Sequence, residues 1–119
     1  MLLVEDEPAL RKLLASMLDG LGYRARQAAD GAEALAALHE DDSVDVILSD
    51  VVLPGVYSGP DLIREIARRR PGAKALLISG YERTALEQSR AILEGLPLLQ
   101  KPFKRGGLAR ALRAVLDAR

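Results

Sequence analysis

Five residues spread along the chain are of types that could do chemistry together: Glu5, Asp6, Asp50, Ser79 and Lys101. Three are carboxylic acids, one is a hydroxyl and one is an ammonium. Two like charges about 4 Å apart repel by about 4 kcal/mol at an effective dielectric of 20, so three gathered carboxylates call for a cation, and Lys101 alone offsets only part of the repulsion. A divalent metal solves the problem. Carboxylates, carbonyls and water suit Mg2+, and Mn2+ can substitute for it. With Asp50 as nucleophile, attack on a phosphoryl group gives an acyl phosphate. Phosphoryl transfer asks the protein mainly for alignment and for neutralisation of the equatorial oxygens. A metal ion, the Lys101 ammonium and the Ser79 hydroxyl are the right types for that work.

These residues can cooperate only if the fold brings them together, and the apolar pattern indicates how. The stretch Val44–Gly55 organises the chain: the unbroken run Val46-Ile47-Leu48 suits a strand covered on both faces, as in parallel sheets. Asp50 stands at its carboxyl end, where open α/β sheets place their ligand sites. Leu2–Val4 reads as a first strand, with Glu5-Asp6-Glu7 at its end. Pro8 then opens a helix in which Leu10, Leu13, Leu14, Met17, Leu18 and Leu21 repeat at helical spacing, stopped at Gly20 and Gly22. Tyr23–Ala28 reads as a second strand and Ala32–Glu40 as a second helix. Gly55–Gly59 reads as a loop, after which Pro60-Asp61 opens a helix ended by Pro71-Gly72. Lys74–Ser79 is a fourth strand, Arg83–Leu93 a fourth helix, Leu98-Leu99 a fifth strand, and Gly107 to Ala118 the final helix. Five strands alternating with five helices through right-handed connections give a parallel sheet between two helical layers. In such a sheet the ends carrying Glu5-Asp6, Asp50, Ser79 and Lys101 share one edge.

Bulk properties narrow the function classes. At 119 residues the chain reads as one domain, residues 1–119. Seventeen basic residues balance seventeen acidic ones, so no net field favours nucleic acid or an anionic membrane. Aromatics are only 3%, too few for base-stacking platforms, so no direct nucleic-acid partner is expected. No apolar stretch approaches the roughly 20 residues of a membrane span, and the opening is too short and acidic for a signal peptide. The absence of cysteine fits a cytoplasmic protein.

Four segments, in order, resemble the receiver domains of response regulators, the phospho-acceptor modules of two-component signalling. Val-Glu-Asp-Glu-Pro at 4–8 resembles the acidic pair, Leu-Ser-Asp-Val-Val-Leu-Pro-Gly at 48–55 the phosphoacceptor segment, Leu-Ile-Ser-Gly-Tyr at 77–81 the hydroxyl segment, and Leu-Gln-Lys-Pro-Phe at 99–103 the lysine segment. The Ser-Gly-Tyr and Leu-Leu-Gln-Lys-Pro-Phe wording is most similar to receivers of hybrid sensor histidine kinases. The resemblance implies a flavodoxin-like (βα)5 three-layer sandwich, CheY-like, with strand order 2-1-3-4-5. It implies that Asp50 takes phosphate from a phosphohistidine of a sensor histidine kinase or histidine phosphotransfer protein. Glu5, Asp6, Asp50 and the backbone carbonyl of Val52 would hold Mg2+, Ser79 and Lys101 would grip the phosphoryl group, and the Lys101-Pro102 bond would be cis. Output, and a weak homodimer, would use the face formed by the helix at 83–93, the fifth strand and the final helix. No conventional turnover is implied beyond promotion of its own phosphotransfer and dephosphorylation, and the chain fits equally a stand-alone protein or a piece of a hybrid kinase.

The sequence also departs from the family. Leu98 stands where the family often has a switching aromatic, so a subtler repacking must carry the output. The acidic pair is Glu-Asp, the 54–59 loop is one residue longer than usual, and Val52 and Tyr81 occupy positions that tune phosphorylation lifetime. Two rivals are weighed. An Asp-nucleophile phosphatase of the haloacid-dehalogenase type needs a second Asp two residues after the nucleophile, where this chain has Val52. A phosphorylation-independent pseudo-receiver would have no need of the full set of acceptor, metal and lysine positions. His39 reads as a surface residue at a helix end, and Arg68-Arg69-Arg70 as the solvated last turn of a helix whose dipole suits cations.

Overall fold

The computed structural model describes residues 1–79, 97–101 and 103–117. The described elements are β1 (Leu2–Val4), α1 (Pro8–Gly20), β2 (Arg26–Ala28), α2 (Gly31–Glu40), β3 (Val46–Asp50), α3 (Gly59–Arg69), β4 (Lys74–Ser79), β5 (Leu98–Gln100) and α4 (Arg105–Asp117). The strands form one parallel sheet in the order β2-β1-β3-β4-β5, as expected. The helix expected over 83–93, Tyr81 and the Pro102 of the expected cis bond lie outside the described residues.

Strand alternation builds the two layers. Leu3, Leu48, Leu76 and Ile78 face one side, where Leu14 and Leu18 of α1 meet Leu108, Leu112 and Val115 of α4. Leu2, Val4 and Ile47 face the other, packed on Ala34, Leu35 and Leu38 of α2 and on Leu62 and Ile66 of α3. Val46, Ile47 and Leu48 are all buried, which is why the middle strand reads as a continuous apolar run.

Several boundaries differ from the sequence reading, each for a local reason. After α1 the amide of Tyr23 donates to Leu18 O at 2.9 Å and that of Gly22 to Asp19 O at 3.0 Å, a Schellman cap with Gly22 at φ +91°. Tyr23 is thereby committed to the helix end, and β2 is shortened to Arg26–Ala28 instead of starting at Tyr23. α3 begins at Gly59, one residue before the expected Pro60, because the Ser58 hydroxyl caps it by accepting from the Asp61 amide at 3.2 Å. Leu13, though it fits the helical spacing, is 57% exposed, so the buried stripe of α1 is carried by Leu14 and Leu18.

Candidate functional site

Four strand ends deliver the polar residues. Glu5 and Asp6 follow β1, Asp50 closes β3, Ser79 closes β4 and Lys101 follows β5. β3 pairs with both β1 and β4, and the Lys101 amide donates to Ser79 O at 2.7 Å, so the ladder itself brings the ends to one edge. One carboxylate oxygen from each of Glu5, Asp6 and Asp50 lies within 4.8 Å of the others. The Lys101 ammonium sits between two of them, 3.5 Å from Glu5 Oε1 and 3.6 Å from Asp50 Oδ2. The expected convergence of these four residues is therefore present, with buried Ser79 on the adjacent strand end.

The acids occupy different environments. Asp6 is exposed, whereas Glu5 is 2% exposed. Burial pushes the Glu5 carboxyl up to about 7, the negative charge of Asp50 adds to that shift, and Lys101 offsets part of it. The other Glu5 oxygen, Oε2, accepts from the Asp6 amide at 2.8 Å. A cluster of oxygen donors only, with one nearly buried acid held near neutrality, fits a hard divalent cation such as Mg2+ or Mn2+.

Two neighbours of the site were not singled out in the sequence. Arg11 reaches back from α1 and donates from Nη1 to the Glu5 backbone oxygen at 2.8 Å, bracing the acidic turn. Its position one turn after Pro8 is the available sequence signal. The Ser49 hydroxyl, fully buried, donates to the Asp50 backbone oxygen at 2.9 Å. Val52 packs against the apolar cluster of Val51, Ile63 and Leu77, and Leu98 joins the same cluster. His39 is exposed, as expected.

Residues 1–113 match the response regulator receiver domain family. The chain belongs to that family. This receiver domain is 37% identical over 117 residues to sensor kinase CckA of Brucella abortus, covering 98% of the chain and 12% of the relative. It is 35% identical over 114 residues to sensor histidine kinase RcsC of Salmonella typhi, covering 93% of the chain and again 12% of the relative. The chain thus spans a small part of the length of these two relatives. Among solved structures, the receiver domain of the hybrid histidine kinase CckA superposes with a TM-score of 0.75 at 31% identity, covering 98% of this chain and 97% of the other. Among the described residues no helix is long and apolar enough to cross a membrane.

Proposed function

We infer that this receiver domain is the phospho-acceptor switch of a two-component phosphorelay and that Asp50 is the residue phosphorylated. The observation that carries the reading is the juxtaposition of Glu5, Asp6 and Asp50 with Lys101 bridging the first and last of them. Glu5, Asp6, Asp50 and the Val52 carbonyl would hold Mg2+, which when bound supplies positive charge against the phosphoryl oxygens. The chain's own part is then as follows. An Asp50 carboxylate oxygen forms the new bond to phosphorus while the phosphorus–nitrogen bond of a phosphohistidine breaks and its electron pair stays on the histidine nitrogen. The Lys101 ammonium gives up part of its pairing with Asp50 and turns to the phosphoryl oxygens, and the Ser79 hydroxyl donates to another of them. The proposed partner is accordingly a sensor histidine kinase or histidine phosphotransfer protein, met in the cytoplasm.

The phosphatase reading is disfavoured by the apolar packing of Val52, which supplies no acid two residues after Asp50. Incubation with acetyl phosphate and Mg2+, read by intact mass, tests the proposal. Addition of one hydroxylamine-labile phosphoryl group to the wild type, absent from Asp50→Asn, is the expected result. A folded wild type that stays unmodified, as a pseudo-receiver would, overturns it.

A further inference from the structure

α3 meets the end of β3 through a residue with no side chain. The Gly59 amide donates to Val51 O at 2.8 Å. A β-carbon built on Gly59 would lie 2.2 Å from the Asp50 backbone oxygen, 2.9 Å from Val51 Cα and 3.0 Å from Leu77 Cδ2. Among the described glycines it is the one whose β-carbon would strike main-chain atoms; the others meet side chains or open space. Ordinary contact begins near 3.4 Å, so any side chain at residue 59 displaces the Asp50 peptide, the helix, or both, by about 1 Å.

Neither side has room to yield separately. β3 is hydrogen-bonded between β1 and β4, the Val51 amide donates to Ile78 O at 2.9 Å, and the Ser49 hydroxyl holds the Asp50 oxygen. α3 is fixed by the Ser58 cap and by the buried Leu62, Ile63 and Ile66. The Asp50 peptide is therefore clamped between its own sheet and the first residue of α3.

We propose that Gly59 is a positioning residue for phosphorylation: the close seat of α3 on the Asp50–Val51 main chain sets where the Asp50 carboxylate stands relative to Glu5, Asp6 and Lys101. The inference rests on Asp50 being the phosphoacceptor. Misplacement of a reacting group by about 1 Å can cost up to 100-fold in rate.

The test is the rate of labelling by acetyl phosphate at saturating Mg2+, expressed per folded molecule with the folded fraction taken from circular dichroism. Gly59→Ala, a better helix former than glycine, is expected to label about tenfold or more slowly than wild type. Ser58→Ala removes the helix cap without filling the seat, and a few-fold slowing is expected; it decides the matter should Gly59→Ala fail to fold. Val115→Ala, in the opposite layer, is expected to lose stability and keep the wild-type rate per folded molecule. Wild-type rates in the Gly59 and Ser58 variants overturn the inference, as does equal slowing by Val115→Ala, which would assign the effect to stability alone. A wild type that takes no label overturns the functional reading and this inference together, and is distinct from a wild type that labels no faster than its variants.

Discussion

Glu5 carries the largest conflict between charge and burial in the site, and its sign fixes how the metal-free protein responds to pH. Its folded carboxyl titrates near 7 against 4.5 in an open environment, so between these values the folded state holds a proton that the unfolded state has lost. The stabilisation is complete below pH 4.5 and disappears as pH rises through about 7, an effect of up to about 3 kcal/mol. Urea titrations without divalent cations should therefore give falling stability from pH 5 to 7.5, and saturating Mg2+ should flatten the curve by taking the proton's place. Asp50→Asn removes one repelling charge, so the metal-free variant should be about 1 kcal/mol more stable than wild type at pH 7.5 and should gain less from Mg2+. Strand-end positions and the family resemblance together nominated the acids, Ser79 and Lys101. They could not reveal that Glu5 is the buried member of its pair, because that depends on how the turn after β1 folds onto Lys101.

At the scale of elements, the run Arg68-Arg69-Arg70 looks uniform in sequence and is not uniform in space. Arg68 and Arg69 share Glu65 on the surface of α3. The Arg70 side chain, expected to be solvated, tucks between α2 and β3. It donates to Val44 O at 2.9 Å and to Leu38 O, and lies 3.6 Å from Asp42. Arg70→Ala leaves two main-chain oxygens short of a donor and should cost about 1–3 kcal/mol, whereas Arg69→Ala should change stability by less than about 0.5 kcal/mol. Chemical denaturation of the two variants makes the comparison. The difference was invisible in the sequence because a carbonyl lacking a donor at the end of another helix leaves no mark on residue 70. The start of α3 was missed by one residue for a related reason: the Ser58 cap admits Gly59 into the helix, while Pro60 is the more conspicuous signal.

For the whole molecule, the alternation of strands with helices and both apolar layers were legible, since uninterrupted runs in β3 and β4 alternate with helical spacings in between, whereas the order of strands followed from the family resemblance. What spacing could not resolve was depth. Leu13 and Leu14 both fit the stripe of α1, yet only Leu14 reaches the sheet. Leu48→Ala, in the centre of the buried sheet, should cost about 2–5 kcal/mol, and Leu13→Ala less than about 0.5 kcal/mol, measured as unfolding free energies. The contact between Lys101 and Glu5 joins positions 96 apart. A polypeptide emerging from the ribosome therefore displays its acids long before their ammonium, and the charged cluster is completed only with the edge strand. Until Lys101 arrives, the charges of Glu5 and Asp50 lack this partner.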